Sequence, residues 1–358
     1  MDWKPFRSLA ERLNALPDGF PPTEDGAELR LLQLLFTPEE AQLSAQLRLT
    51  KETSNEIASR LELDHKTTRD LLKKMAHKGL ISTGKVESGI GFGLEPFVVG
   101  IYENQAGRID KELAKRFEDY YQQSFSTALD FKPQFHRVIP VNETVDVDME
   151  VLPFESITSL IDQANSWGVL DCICRKQKKL LGEACDHPLE VCMVFHERPD
   201  AFEGNPVIRS LDREGAYAVM HTASEASLVH TISNKQDGHS YICNCCTCSC
   251  GILRGMAEMG VANVVARSPF FSSVDDDLCT KCEICSDYCM FEAITYQEIA
   301  VVDRNRCVGC GLCALHCPDE AITLERRPSE EVLPVPETIS EWRRDRAAAR
   351  GINMDDVL

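Results

Sequence analysis

The sequence has no long apolar segment. None of its 358 residues belongs to an apolar run that approaches the length of a membrane-spanning helix, which is about eighteen residues. The first residues, MDWKPF, contain no apolar stretch of the kind that signal peptides have. We therefore expect a cytoplasmic protein without a membrane span. A hydrophobic content of 43% indicates a folded chain, and the length allows two or three domains.

Positive charge is scarce. The chain has 38 Lys and Arg residues against 57 Asp and Glu residues, a formal net charge of −19. Proteins that coat nucleic acids or bind anionic membranes need a positive surface, so the overall charge disfavours both classes. One basic island interrupts the pattern: residues 51–85 contain eight basic and five acidic side chains, a net charge of +3.

Motifs for substrate binding are also absent. The sequence has no P-loop, no G-x-S-x-G nucleophile motif and no pattern of paired carboxylates. The glycine-rich segment GIGFG at residues 89–93 has the wrong spacing for a dinucleotide fingerprint, and no helix pattern follows it. Nothing in the sequence predicts a nicotinamide or flavin site.

Cysteine is missing from the first 171 residues and abundant afterwards. All seventeen cysteines lie from Cys172 onward. An odd number of cysteines without an export signal argues against a disulfide framework. Reduced cysteines at this density are usually metal ligands.

Two cysteine runs near the C-terminus have the same spacing. Both follow the pattern C-x2-C-x2-C-x3-C, and the second lies 28 residues after the first. The sequence EAIT at residues 292–295 returns at the same offset, at residues 320–323. Gly309 and Gly311 allow the second loop to wrap closely around a cluster. The first run is Cys279, Cys282, Cys285 and Cys289, and the second is Cys307, Cys310, Cys313 and Cys317.

These runs resemble the two-cluster bacterial ferredoxins over about residues 272–327. The resemblance implies a βαββαβ module in which three cysteines of each run and the last cysteine of the other run bind one [4Fe–4S] cluster. Met290 stands where the family usually has proline, a departure that leaves the ligand set intact. Two zinc knuckles are disfavoured because zinc sites normally use separated C-x2-C pairs. The implied sets are Cys279, Cys282, Cys285 and Cys317 for one cluster, and Cys307, Cys310, Cys313 and Cys289 for the other.

Nine cysteines remain in two groups between residues 172 and 250. We expect them to bind one further [4Fe–4S] cluster or two. From the first group, residues 172–192, the expected ligands are Cys174, Cys185 and Cys192, and a cysteine of residues 243–250 would complete the set. A zinc site with free thiols is the alternative. His187 and His239 lie nearby and could bind metal, but we interpret both as hydrogen-bonding loop residues. The nine cysteines are Cys172, Cys174, Cys185, Cys192, Cys243, Cys245, Cys246, Cys248 and Cys250.

The basic island has the pattern of two helices followed by a hairpin. Residues 53–56 form a capping box, Asp64 can cap a second helix, and a turn at residues 82–85 leads to the glycine-rich segment. This order resembles a winged helix-turn-helix domain, whose second helix reads DNA in known examples. The exposed basic residues would be Lys66, Arg69, Lys73 and Lys74. Protein docking is the alternative role, and the acidity of the remaining chain favours it over DNA binding.

The sequence thus predicts an α+β multidomain protein. The predicted segments are an N-terminal segment (1–27), a winged-helix-like domain (28–100), a mixed central domain with a cysteine-rich metal site (101–271), a ferredoxin-like domain (272–327) and a tail (328–358). This order resembles multicluster iron–sulfur proteins of anaerobic microbes. We expect helices at residues 108–129, 154–167 and 337–350, the last with Trp342 packed on the protein itself.

Three functions compete at this point. The first is electron transfer between redox partner proteins, donor and acceptor oxidoreductases, for which an acidic surface suits docking. The second is a redox-sensing or iron–sulfur-sensing winged-helix transcription regulator. The third is a catalytic iron–sulfur site within residues 172–250. The absence of substrate-binding motifs favours the first.

Overall fold

The computed structural model describes residues 2–145, 149, 151–261 and 263–358. It is a mixed α/β structure with two compact units. The first unit consists of residues 1–132, 177–183 and 343–358, and the second of residues 133–176 and 184–342. All seventeen cysteines therefore belong to the second unit.

The first unit is mainly helical and contains one small sheet, in which β3 pairs with both β1 and β2. Its elements are α1 (Lys4–Asn14), α2 (Ala27–Leu35), α3 (Pro38–Ser44), β1 (Glu52–Thr53), α4 (Ser54–Arg60), α5 (His65–His77), β2 (Ile81–Val86), β3 (Gly89–Leu94), α6 (Lys111–Tyr120) and α7 (Ser126–Leu129).

The helix signals of the basic island are confirmed. Thr53 and Glu56 form a reciprocal capping box at the start of α4, and the Asp64 side chain accepts a hydrogen bond from the Thr67 N–H at the start of α5. β2 and β3 then form an antiparallel hairpin. Leu63 follows the end of α4 and is 48% exposed.

The predicted helix at residues 108–129 is largely confirmed. It begins after the N-cap residue Asp110 as α6, continues through a looser turn at residues 121–125 and ends as α7. One side of it is buried, because five large side chains lie there in the spacing that a helix gives. These side chains are Leu113, Phe117, Tyr120, Tyr121 and Phe125.

The second unit contains most of the strands. Its elements are β4 (His136–Val138), α8 (Ile157–Asp162), β5 (Ser166–Asp171), β6 (Glu190–His196), β7 (Arg209–Leu211), α10 (Arg213–Glu225), β8 (Val229–Ser233), β9 (Tyr241–Cys245), α11 (Leu253–Met259), β10 (Phe270–Val274), α12 (Ile284–Asp287), β11 (Ile294–Tyr296), β12 (Ala300–Val302), α13 (Leu312–Leu315) and β13 (Ile322–Arg326). Helices α9 (Ile173–Leu181) and α14 (Ile339–Ala349) contribute residues to both units.

A six-stranded antiparallel sheet forms the centre of the second unit, in the order β4-β8-β9-β6-β5-β7. Helices α8 and α10 pack on it through an apolar core. This core includes Ile161, Met193, Phe195, Met220 and Ile242, all buried.

The helix expected at residues 154–167 is shorter than predicted. It covers only α8, and Trp167 lies in β5, where it pairs with Phe195 of β6 and Leu211 of β7. Pairing with neighbours on both sides overrides the local helical pattern. The indole N–H of Trp167 donates a hydrogen bond to the carbonyl oxygen of Ile161, which links the strand to the end of the helix.

The helix predicted near the C-terminus and the packing of Trp342 are both confirmed. α14 covers Ile339–Ala349, and Trp342 is only 4% exposed. Its indole N–H donates a hydrogen bond to the carbonyl oxygen of Gln134, so this side chain packs on the protein itself. Within the described ranges, no helix is long and apolar enough to cross a membrane.

Candidate metal centres

The last part of the second unit has the element order βαββαβ, and its two halves repeat each other. Helix α12 and helix α13 are offset by 28 residues, the period of the cysteine runs. β10 pairs with β13 and β11 with β12, so each pair joins one strand of each half. The sequence duplication therefore corresponds to a duplicated backbone.

The two halves share unusual backbone angles. Gly309 and Gly311 have φ values of +68° and +82°, and the equivalent residues Lys281 and Glu283 have +58° and +68°. A residue with a side chain adopts this left-handed conformation only at a cost, which glycine avoids. A Cβ at Gly309 would overlap with the carbonyl oxygen of Phe270. Glycine is thus required there because of packing against the chain itself.

Two cavities lie in this module, each with about 320 Å³ of empty space, including space open to solvent. Each cavity is lined by three cysteines from one run and the last cysteine of the other. Cys279, Cys282, Cys285 and Cys317 line the first cavity. Cys289, Cys307, Cys310 and Cys313 line the second cavity.

The environments of the two cavities differ. Cys282 in the first cavity is exposed, whereas Cys307 and Cys313 in the second are buried. Burial raises the pKa of Cys313 to about 12, although a hydrogen bond with Ser272, whose Oγ lies 3.1 Å from its Sγ, lowers it. Thiolates in such a site need a bound cation, as iron would provide.

Six of the nine central cysteines form a ring of neighbouring thiols, of which Cys172, Cys245 and Cys250 are buried and the other three half-buried. Each lies within hydrogen-bonding reach of the next. The order around the ring is Cys172, Cys192, Cys243, Cys245, Cys250 and Cys174, which returns to Cys172.

The sheet explains half of this ring. Side chains alternate along a strand, so Cys243 and Cys245 of β9 lie on the same face. β6 pairs with β9 through Met193 and Ile242, which brings Cys192 beside Cys243. The Thr231 hydroxyl, on the neighbouring strand β8, lies 3.5 Å from the sulfur of Cys245.

The other three central cysteines lie together with a histidine. The donor atoms of Cys185, His187, Cys246 and Cys248 are all within 4.8 Å of one another. Hydrogen bonds from Cys248 and His187, together with the charge of Arg175, lower the pKa of Cys246 to about 3. A hydrogen bond with Cys246 raises the pKa of His187 to about 9.

Arg175 lies beside both central groups. It is buried, and its guanidinium donates to the carbonyl oxygen of Asn244 at 3.1 Å and to the sulfur of Cys246 at 3.6 Å. Burial would lower the pKa of Arg175, and the thiolates of Cys172, Cys246 and Cys192 raise it. A permanent positive charge is therefore held next to the cysteines.

The structure separates residues that the sequence grouped together. Cys174 and Cys192 lie in the six-thiol ring, whereas Cys185 lies with His187. His239 is in neither group, and its ring lies 3.3 Å from the Ser233 hydroxyl. His187, interpreted from the sequence as a hydrogen-bonding loop residue, lies among three cysteine donors. The short C-x-H and C-x-C spacings at residues 185–187 and 246–248 are the sequence signal for this group.

Comparison with known proteins gives one match. Residues 300–323 match a family model described as a 4Fe-4S binding domain. No curated protein and no solved structure matches the chain. The match covers the second cysteine run and supports a ferredoxin-like module near the C-terminus. Together with the clustered cysteines, it supports [4Fe–4S] cluster binding and indicates iron–sulfur electron transfer.

The close packing at Gly309 gives a testable prediction. Gly309→Ala should lower the iron content of the protein purified under anaerobic conditions, because the new Cβ would push the loop away from Phe270 and displace Cys307 and Cys310. Gly204→Ala is the matched control, since Gly204 has a φ of +66° but no atom within 4 Å of an added Cβ. Equal iron content in both variants would contradict the prediction.

Proposed function

We propose that this protein carries single electrons between redox partner proteins through iron–sulfur clusters. The observation that carries the proposal is the crossed arrangement of the two cavities, in which the last cysteine of each run joins the three leading cysteines of the other. Four thiolates around one cavity match the ligand set of a [4Fe–4S] cluster, which supplies one-electron redox chemistry when bound.

The two proposed ligand sets are those that the ferredoxin resemblance implies. Cys279, Cys282, Cys285 and Cys317 would bind one cluster, and Cys289, Cys307, Cys310 and Cys313 the other. Polar neighbours would donate hydrogen bonds to the cluster ligands and tune the reduction potential. The Ala293 N–H donates to the sulfur of Cys289 at 3.3 Å. The Tyr296 hydroxyl, which donates to the carbonyl oxygen of Glu283, lies 3.3 Å from the sulfur of Cys285.

We further propose a third cluster in the six-thiol ring. Every cysteine of the ring is buried or half-buried, and its six sulfurs exceed the four that a cubane needs. Arg175 supports the proposal because a buried cation offsets the negative charge that clustered thiolates bring with them.

The surface around the first cavity suits a basic partner. Cys282 is exposed there, so an electron can leave the protein over a short distance. Several exposed carboxylates accompany it, and charge complementarity of this kind steers the encounter of redox proteins. Glu283 and Asp319 line the cavity, and further exposed carboxylates near them in the sequence are Asp276, Asp277, Asp287 and Glu320.

The two ferredoxin-type clusters can be tested one at a time. Cys282→Ala and Cys310→Ala are equivalent substitutions in the two halves, 28 residues apart. Each should remove about four of the iron atoms while sparing the other cluster, because each cubane holds four irons. In the dithionite-reduced protein, electron paramagnetic resonance should show two coupled clusters in the unchanged chain and one uncoupled cluster in each variant. Fewer than about six iron atoms in the unchanged chain, or zinc in their place, would overturn the proposal.

Arg175 gives a test of the central cluster. Arg175→Met should lower the reduction potential of the central cluster by about 50–100 mV. A unit positive charge several ångströms away stabilises the reduced cluster by about 2 kcal/mol at an effective dielectric constant near 20, and the substitution removes it. Arg175→Lys keeps the charge and should shift the potential less. A redox titration followed by electron paramagnetic resonance measures both. If electron paramagnetic resonance shows no signal from a third cluster, the proposal of a central cluster is wrong. If Arg175→Met leaves the reduction potential of that cluster unchanged, the proposed effect of the Arg175 charge is wrong.

The segment from α4 to β3 has the helix–turn–helix–hairpin order of a winged helix, and we propose that it docks protein. Its basic side chains Lys66, Arg69 and Lys73 are exposed on α5. Other basic residues are paired, since Arg60 contacts Glu52 at 2.5 Å and Lys78 contacts Glu40 at 2.7 Å. The exposed basic face is also the feature that favours the alternative, a redox-sensing transcription regulator.

DNA binding separates the two functions. We expect the full-length protein to bind duplex DNA weakly and without sequence preference at physiological salt, since the basic face offers few phosphate contacts and α5 has no Asn or Gln to read adenine. Lys66→Glu with Lys73→Glu should abolish this residual binding in a gel-shift assay with random-sequence duplex. Submicromolar, sequence-selective binding that changes when the clusters are reduced would instead establish the regulator.

A further inference from the structure

We propose that Cys185, His187, Cys246 and Cys248 bind one zinc ion, at a site separate from any iron–sulfur cluster. Cysteine and histidine side chains in a tetrahedral set of four are the usual ligands of structural zinc. The proposal stands on the geometry of this group alone and does not depend on electron transfer.

The spacing of the donor atoms distinguishes a single ion from a cluster. A tetrahedral zinc ion with Zn–S bonds of about 2.3 Å places its sulfur ligands about 3.8 Å apart. The four donor atoms here lie within 4.8 Å of one another. A cubane needs wider spacing because each of its thiolates binds a different iron atom. The group therefore fits one ion and is too narrow for a cubane.

The other cysteines give an internal comparison. Among the residues that the structure describes, this is the one group of three or more His, Cys, Asp and Glu side chains whose donor atoms come this close together. The four cysteines in each ferredoxin cavity and the six in the ring do not form such a group. In the ring, each sulfur approaches its two neighbours, but the donor atoms do not all converge on one point as they do at this site.

The chain brings these donors together through two short segments. Cys185 and His187 lie in the loop that leads to β6, and Cys246 and Cys248 lie in the turn directly after β9. The N–H of Cys250 donates to the carbonyl oxygen of Cys246, which closes this turn. The two segments meet because β6 and β9 are neighbours in the sheet.

Neighbouring donors hold the sulfurs in place. The Ser249 hydroxyl lies 3.5 Å from the sulfur of Cys185 and 3.9 Å from that of Cys248. Arg175 donates to the sulfur of Cys246. Metal-bound thiolates usually receive such hydrogen bonds, which orient them and offset their charge.

Four protein ligands leave no open position on the ion, so the site is structural and not catalytic. Cys246 is fully buried in an apolar cluster with Val191 and Leu228, and Met290 of the ferredoxin-like module packs against this cluster. Zinc is redox-inert and would not carry electrons. It would instead fix the turn after β9, whose neighbours Cys245 and Cys250 belong to the six-thiol ring.

The first test uses the unchanged full-length protein, produced with both iron and zinc in the medium and purified under anaerobic conditions. Elemental analysis should find about one zinc ion per chain in addition to the iron. X-ray absorption at the zinc edge is blind to iron, and it should show three sulfur ligands at about 2.3 Å and one nitrogen ligand at about 2.0–2.1 Å. Absence of zinc, or a shell of four sulfurs, overturns the proposal.

Substitutions locate the ion. His187→Cys should retain zinc and change its shell to four sulfurs, which a merely structural role of His187 would not produce. Cys248→Ala should lower the zinc content at least tenfold and leave the iron content unchanged. His221→Ala, an exposed histidine on α10, is the control and should change neither metal. If Cys248→Ala instead removes about four iron atoms, the group binds a cluster and the zinc site is wrong.

Discussion

The alternation of side chains along β9, together with the turn that follows the strand, divides the five cysteines of this segment between two sites. Five thiols occur between residues 243 and 250, and a single site has no room for all of them. Cys243 and Cys245 lie on one face of the strand and join the ring, whereas Cys246 and Cys248, in the turn, meet His187. A shift of one residue in the register of β9 would move these side chains to the opposite face of the sheet and separate the residues of both groups.

Because the thiols are buried, the metal-free protein and the metal-bound protein differ in the protonation of their cysteines and in stability. Burial raises the pKa of Cys310 and of Cys289, so these thiols keep their protons until a metal ion displaces them. Metal binding then releases protons and adds directly to the stability of the fold. Near the central groups, Arg175 provides a permanent cation that favours thiolates even before metal binds.

The sequence predicts the ferredoxin-like module far better than the central site. An exact repeat of 28 residues implies a repeated backbone, and the matching φ angles of Lys281 and Gly309 follow from that repeat. No repeat relates the nine central cysteines. Cys192 meets Cys243 because of the β6–β9 pairing, and Cys185 meets Cys246 because a loop closes over a turn. Both contacts depend on tertiary structure, and local spacing carries no information about it.

The two cavities differ in solvent exposure, and this difference indicates which end of the proposed electron path faces the surface. The second cavity contains buried Cys307 and Cys313 and is lined by Tyr288, whose ring stacks on His316 with 3.8 Å between the ring centroids. The ring of His316 in turn lies 3.3 Å from the Ser227 hydroxyl, close to the sheet that carries the six-thiol ring. The first cavity instead opens at Cys282, among exposed carboxylates. If the protein carries electrons as proposed, the first cavity would be the exchange point with a partner protein, because electron transfer weakens steeply with distance, and the second would connect it to the interior of the unit.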